Sequence, residues 1–335
     1  MLGSYHCTSE HLSIFKIIVI KMELLMRREN GMIATIPAFP AFRDLTLDDK
    51  LFIDALFMEE QPQISELSFG SLFMWRDSEP VQLSRINETV LMQSSHEDGN
   101  LYLLPPLGKK PLPEVLGMLK QVAFSRNHRL PLLYGISATE AEELSALGMQ
   151  IEPCRHHWDY VYLSRDLAEL PGDKYHAKRN FITRCLSQHR CEYSEITPSV
   201  IDQCLQLETK WCRLCDRDET SGLVAENRAI KQLFEHYQDL GVFGGVIYVD
   251  GTIEAFAIAE RLNHETAVIH AEKANPEIKG LYQVINQWFC QKTLLDFKFV
   301  NREQDLGIPG LRKAKMSYHP HHMVEKYIAH IVDNF

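Results

Sequence analysis

The sequence predicts an α/β protein made of two like halves, each a mixed sheet flanked by helices. Three observations carry this. Asp250-Gly251 lies between apolar runs at 242–249 and 253–261, and Asn87-Glu88 lies between runs at 81–86 and 89–94, so each half has a β-hairpin. Each hairpin is followed by the same succession of strand, loop, helix and strand. The offset between matching features is nearly constant: 163 positions from Asn87 to Asp250, 167 from Pro113 to Gly280 and 167 from Leu130 to Phe297. A chance match between unrelated halves is the competing explanation, because the letters themselves barely repeat.

Residues 1–31 read as an N-terminal extension. Their apolar run at 14–20 is too short to span a bilayer, is followed by Lys21, Arg27 and Arg28, and has no small-residue cleavage site after it. The first domain is expected over 32–165 and the second over 166–335. After the first hairpin come a strand at 101–104, a Pro/Gly/Lys loop, a helix over 113–127 and a strand at 130–136. Ser137 caps a helix ending near Gly148, and one long strand then runs to Leu163. Between the halves, helices are expected late in 165–190, over 198–215 and over 227–240. Thr197-Pro198 supplies a cap with proline in the first turn, and Gly241 a stop. The second half repeats the order with a strand at 266–272, a helix over 280–295, a strand at 297–301, a short helix and a strand near 323–332. Leu281, Ile285, Trp288 and Phe289 give the 280–295 helix its apolar face.

The chain has 335 residues, a formal net charge of −10 and 45% hydrophobic residues. An acidic whole is no general binder of polyanions, so contact with phosphate or nucleic acid must come from local basic patches. The eight cysteines show no repeated spacing, which suits reduced thiols in the cytoplasm better than a secreted disulfide framework. Cys212-x-x-Cys215 has no second pair at ligand spacing and shares an amphipathic helix with Cys204, so packing explains it better than metal. His319-Pro320-His321-His322 reads as a turn entering the last strand. No metal site and no membrane span are expected.

The most informative stretch is 297–315, in which a short β-run breaks into Asn301-Arg302-Glu303-Gln304-Asp305, then Gly307-Ile308-Pro309-Gly310, then Arg312, Lys313 and Lys315. Polar groups concentrated where a strand ends suit a ligand site, because open α/β sheets bind beyond the carboxyl ends of their strands. A plain surface loop explains the same letters without a ligand. Lys279 and Gly280, at the start of the second-half helix, could cradle an anion on free backbone N–H groups. From Lys174 to Arg190 there are five lysines and arginines and no acid. That patch is either a solvated helix face or a phosphate or carboxylate clamp. His270, Glu272 and Glu260 fall on adjacent predicted strands, where one could accept a proton from an attacking amine. No nucleophile elbow, Walker loop, dinucleotide fingerprint or metalloprotease motif is present. What remains is chemistry that needs mainly positioning, such as direct transfer of an activated acyl group.

The order of elements, met twice, resembles tandem GCN5-related N-acetyltransferase (GNAT, acyl-CoA N-acyltransferase) domains. Residues 174–181, together with 301–307 and 311–318, are similar to an uncharacterised bacterial family related to the soluble C-terminal domain of phosphatidylglycerol lysyltransferases. That family is in turn similar to peptidoglycan aminoacyltransferases, which use aminoacyl-tRNA. The resemblance covers roughly residues 32 to 332. It implies an acyl- or aminoacyl-transferase with no tightly bound cofactor, an acyl-CoA or aminoacyl-tRNA co-substrate held in the second half, and an amine or hydroxyl acceptor. An anionic lipid surface is a further candidate partner. On this resemblance Lys178, Arg179, Arg302, Arg312, Lys313 and Lys315, with Lys279 and Gly280, would hold phosphates of the donor or acceptor. Glu272, Glu303 and Asp305 would hold an amino group, and Tyr318 would donate to the leaving group or oxyanion. The chain departs from the lysyltransferases in lacking their multi-span region, and its segment 276–280 keeps only a lysine and a glycine of the acetyltransferase pyrophosphate loop. An acyl-CoA N-acetyltransferase and a non-catalytic module binding tRNA or another anionic ligand are the alternatives. The first half is expected to be structural or acceptor-binding.

Overall fold

The computed structural model describes residues 33, 35–95, 101–108, 112–118, 132–215 and 221–330. The expected extension at 1–31 lies outside them, as does the later part of the helix expected over 113–127. In chain order the strands are β1 (Arg43–Asp44), β2 (Gln82–Ile86), β3 (Thr89–Ser95), β4 (Leu101–Leu103), β5 (Leu132–Ile136), β6 (Gln150–Pro153) and β7 (Asp159–Leu163). They continue with β8 (Cys191–Glu195), β9 (Phe243–Val249), β10 (Thr252–Arg261), β11 (Thr266–Ala274), β12 (Phe299–Asn301), β13 (His322–Val324) and β14 (Tyr327–His330). Two seven-stranded sheets result, ordered β1-β2-β3-β4-β5-β14-β6 and β13-β7-β12-β11-β10-β9-β8.

Both expected hairpins form. The turn residues Asn87, Asp250 and Gly251 take the left-handed φ values of 54°, 50° and 90° that tight hairpin turns demand. In each half the third and fourth strands of the series pair in parallel, β4 with β5 and β11 with β12. The single long strands expected before Leu163 and after Met323 are each broken in two. A one-turn 3-10 helix at Arg155–His157 separates β6 from β7, and residues 325–326 separate β13 from β14. The pieces change sheets. β7 lies between β12 and β13 in the second sheet, and β14 lies between β5 and β6 in the first. Each half therefore completes the other's sheet, a reciprocal strand exchange that turn signals alone could not reveal.

The crossing point is held by buried charge. Lys326 Nζ, with no exposed side-chain surface, pairs with Glu66 Oε2 at 2.6 Å and Asp159 Oδ1 at 2.7 Å. Asp159 also accepts from Ser65 N at 2.7 Å and Asn301 Nδ2 at 3.0 Å. Burying charge is costly unless it is paired and hydrogen-bonded, and here each ion has several partners.

Three apolar cores fit this architecture. The central one joins the halves: Leu83, Val90 and Met92 from the first sheet and Val246, Phe256 and Ile258 from the second enclose residues of the Lys50–Glu60, Phe69–Met74, Ile201–Cys215 and Ser221–Glu235 helices. The outer face of the second sheet packs on the Leu281–Thr293 helix, with Val284, Ile285 and Phe289 against Ala255, Ala257 and Ala259. The alternation in β10, Ala-Phe-Ala-Ile-Ala, explains the difference between its faces. Alanines admit that helix closely, while Phe256 and Ile258, each worth about 1.5–3 kcal/mol on full burial, fill the central core. The outer face of the first sheet covers Val115 and Leu116, from a helical stretch at 112–118, and Leu144 of the Ala138–Ala146 helix. The capping box expected at Ser137 is present with Glu140.

Candidate active site

The second sheet opens beside β12. Its parallel pairing with β11 covers only Thr266↔Phe299, Ala267↔Val300 and Val268↔Asn301, after which β11 runs on to Ala274 while the other chain turns away. Just past the parting, the register between β10 and β11 slips, leaving His270 as the extra residue of a β-bulge. The bulge sends His270 toward the Phe69–Met74 helix and Glu272 toward the Leu281–Thr293 helix. Alternation after β12 matches this, because Glu303 meets His270 and Arg302 meets Glu272.

The first of these contacts belongs to a carboxylate–imidazole–carboxylate chain. His270 Nδ1 lies 3.1 Å from Glu303 Oε1, and His270 Nε2 lies 2.8 Å from Glu260 Oε1. Glu260 also accepts from the backbone N–H groups of Gly70 and Ser71 at 3.2 and 3.3 Å, in the first turn of a helix from the first half. An added Cβ at position 70 would stand 2.6 Å from Glu260 Oε1, so any larger residue there would displace the carboxylate. Burial alone would lower the His270 pKa, but bonds from Glu260 and Glu303 outweigh it and raise it to about 9. The same partnership keeps the buried Glu260 carboxyl below its usual range, against desolvation. His270 is thus an imidazolium donating to both carboxylates at neutral pH. Glu303 is the outer member, with 25% of its side chain exposed. Its φ of 55° is a strained setting for glutamate, held by Asn301 Oδ1 accepting Glu303 N–H at 2.7 Å.

On the other face Arg302 Nη2 donates to Glu272 Oε1 at 2.9 Å, and Asn286 Nδ2 donates to Glu272 Oε2 at 3.0 Å. The Tyr318 ring is flanked by Lys178 Nζ at 3.9 Å and the Arg302 guanidinium at 5.0 Å. Burial, with Arg302 adding its charge, pushes Lys178 down to about 8. Lys315 donates to Arg302 O from beneath the loop. Burial also pushes it down to about 8, with Glu303 opposing and Arg302 adding. Both lowered lysines therefore lie close enough to Arg302 to feel its charge.

Around the parting of β11 and β12 the structure brings Glu272, Arg302, Tyr318 and Lys178 together on one face, and Glu303 with His270 on the other, with Lys315 bonded to the Arg302 carbonyl. Other expected site residues sit apart or are already engaged. Asp305 is fully buried: Arg312 grips it with two bonds at 2.8 and 2.9 Å, and Arg155, Tyr160 and Gly307 N–H donate to it as well. Burial would raise its pKa, but the Arg312, Tyr160 and Gly307 bonds together hold it well below the carboxylate range. Asp305 and Arg312 thus anchor the 301–307 loop. Arg179 donates to Leu170 O and Gly172 O, closing the end of the Ser164–Glu169 helix. Lys313 is exposed on the Pro309–Met316 helix. Lys279 is also exposed, and beside it the Gly280 backbone is covered, since an added Cβ would overlap Phe181 O. At that helix start Leu281 N–H and Gln283 N–H bond to Ile278 O and Gly280 O, leaving fewer free donors than a cradle needs.

His270 and Glu260 were visible in the sequence as strand residues, but no sequence signal showed the bulge that joins them to Glu303. Glu260 also lines a cavity of about 200 Å³ with Lys50, Asp54, Phe57, Phe69 and Leu262. Burial raises the Asp54 carboxyl there, with Lys50 opposing and Glu260 adding to the rise. The Cys212 thiol donates to Glu208 and accepts from Asn227 Nδ2, as packing within a helix pair predicts.

Two mixed sheets in a tandem GNAT-like arrangement, with acids, an imidazole and lysines at a strand parting, suit a protein of the transferase kind. Residues 58–330 match the family described as "Phosphatidylglycerol lysyltransferase, C-terminal", and the chain belongs to that family. A conserved protein of unknown function from Bacteroides thetaiotaomicron is 36% identical, with a TM-score of 0.81 over 87% of this chain and 99% of that one. The C-terminal domain of a putative lysylphosphatidylglycerol synthetase from Agrobacterium fabrum shares the fold at 15% identity and a TM-score of 0.59, over 85% and 92% of the two chains. FemX shares it at 8% identity and a TM-score of 0.59, over 88% and 98%. No curated protein matches the chain. Among the described residues no helix is long and apolar enough to cross a membrane.

Proposed function

We propose that this chain transfers an activated aminoacyl group from aminoacyl-tRNA directly to an amine or hydroxyl acceptor in the opening between β11 and β12. The observation that carries this reading is the buried Glu260–His270–Glu303 chain, which ends on a partly exposed carboxylate beside Lys315. Glu303 accepts the proton of the attacking N–H or O–H as the nucleophile bonds to the donor's ester carbonyl. The tetrahedral intermediate then collapses, the acyl C–O bond breaks, and the proton passes from Glu303 to the departing ribose oxygen. His270 is a positioning residue that orients Glu303. The cationic Lys315 favours the developing oxyanion, in a site where burial strengthens each charge. Lys178 and the exposed Lys313 supply positive charge for donor phosphates around the rim.

The covered Gly280 joint supports a tRNA-borne donor over acyl-CoA, because the helix start that would take a pyrophosphate lies against the backbone of another helix. Cys154, Cys185, Cys191, Cys204, Cys212 and Cys290 are free thiols, which suits work in the reducing cytoplasm. The test incubates the purified chain with radiolabelled aminoacyl-tRNA and, in parallel, with acetyl-CoA. Each donor is supplied with polyamine, peptide or phosphatidylglycerol-vesicle acceptors. Acceptor-dependent loss of tRNA-bound label is expected. Turnover of acetyl-CoA alone would replace this reading with the N-acetyltransferase one, and turnover of neither donor would favour a binding module.

A further inference from the structure

We propose that Cys154, His156 and His157 form a binding site for Zn²⁺ or a similar borderline divalent transition metal, at the point where the exchanged strands cross. The potential ligand atoms of these three residues all lie within 4.8 Å of one another. Cys154 Sγ and His156 Nε2 are 3.7 Å apart. A tetrahedral zinc with Zn–S of about 2.3 Å and Zn–N of about 2.0–2.1 Å has a sulfur–nitrogen edge of about 3.5 Å, close to the Cys154–His156 separation. Mixed thiolate and imidazole donors are the set this ion prefers.

The turn that presents the ligands is already fixed. His157 N–H bonds to Cys154 O, Cys154 N–H to Lys326 O, and Leu306 N–H to His156 O, each at 2.9 Å. Arg155, between the ligands, is directed to Asp305 and Tyr160. Metal binding would therefore cost little ordering entropy. Tyr134 OH engages His157 Nδ1, which gives that imidazole the outer partner that ligating histidines usually have. Charge agrees as well, since the nearby Lys326 ammonium is outnumbered by the Glu66 and Asp159 carboxylates. Cys154 is buried and His156 exposed, so the fourth position faces solvent and would be filled by water. Mutual packing of a buried thiol and two edge-on imidazoles, whose centroids are 4.4 Å apart, is the competing explanation.

This site uses no residue of the proposed transfer chemistry, but its turn bonds directly to the 301–307 loop through Leu306 and Asp305. A bound ion would therefore staple the strand crossing and stiffen that loop. The experiment titrates chelator-treated full-length protein with Co²⁺. One equivalent is expected to give the intense visible bands of tetrahedral cobalt together with thiolate-to-cobalt charge transfer, and Zn²⁺ is expected to displace it and raise the melting temperature. Cys154→Ser should lose the charge-transfer band. His156→Ala, at an exposed position, should fold normally and lose both the tetrahedral bands and the metal-dependent thermal shift. Tyr134→Phe should weaken binding by about tenfold. Weak octahedral bands in the wild type, or a His156→Ala protein that matches the wild type in spectrum and thermal shift, would overturn the proposal.

Discussion

The two halves share a strand order but differ where their parallel strands part. Phe299 pairs opposite Thr266 as Leu132 pairs opposite Tyr102, so the offset of 167 from Leu132 to Phe299 aligns the two partings. On that alignment Glu303 stands where the first half has Ile136, and Arg302 stands where it has Gly135. Ile136 is completely buried in the outer core of the first sheet, and the Ser137-capped helix begins immediately after it. Leu104 and Leu107, which follow β4, are buried as well. In the second half the same place carries a left-handed glutamate, a bulged histidine and two lysines lowered toward neutrality. The first-half place is thus filled with an apolar side chain, whereas the second-half place carries polar groups on strained backbone. The first half still matters to the site, because its Gly70 and Ser71 hold Glu260 in place.

The contrast predicts unequal responses to mutation. Glu303→Gln should lower transfer by about 10²–10⁴-fold while the melting temperature stays near wild type; a collapse of the fold would make Glu303 structural. Lys326→Met strikes the shared crossing, not either parting, and strands the buried Asp159 and the partly buried Glu66 carboxylates. It should cost about 3–5 kcal/mol in denaturant unfolding, and a cost below about 1 kcal/mol would show that the crossing is not held by this charge. Gly70→Ala should cost about 1–3 kcal/mol and also slow transfer, since the new methyl group meets a carboxylate that His270 holds in place. An effect on neither quantity would disconnect the two halves.

A pH dependence sharpens the same contrast. The His270 pKa rises from its ordinary 6.5 to about 9, so its contribution to stability is complete below pH 6.5 and is lost as pH rises toward 9. Lys178 and Lys315, lowered to about 8, act in the opposite sense above that pH, so the decline is cleanest between about 6.5 and 8. Urea melts across this range should show it, and His270→Gln should flatten it. The smallest effect is expected for Lys313→Ala: stability within about 0.5 kcal/mol of wild type, with weaker and less salt-dependent donor binding. Unchanged affinity would remove that lysine from the rim.

Much of the scaffold was legible because it is written locally. Asp250-Gly251, Ser137 and Gly241 each fix a turn or helix end through their own backbone preferences. The 301–307 stretch also stood out as the polar end of a strand. Contacts set by long-range pairing were not legible. The exchange of β7 and β14 depends on which sheet edge each short strand reaches, and β-runs such as 159–163 look alike in either sheet. The helices at 50–60 and 69–74 passed unnoticed although their residues fill the central core. Asp305 and Glu303 are two positions apart and equally acidic. Only the fold shows that one is saturated by Arg312, Arg155 and Tyr160 while the other reaches the opening.

The most direct measurement is hydrogen exchange of the full chain with and without a non-hydrolysable aminoacyl-adenosine analogue. Slower exchange is expected in segments 269–274 and 301–306, with little change at 101–107 and 135–140. Protection confined to the first-half segments, or to neither pair, would contradict the assignment of the transfer site to the second half.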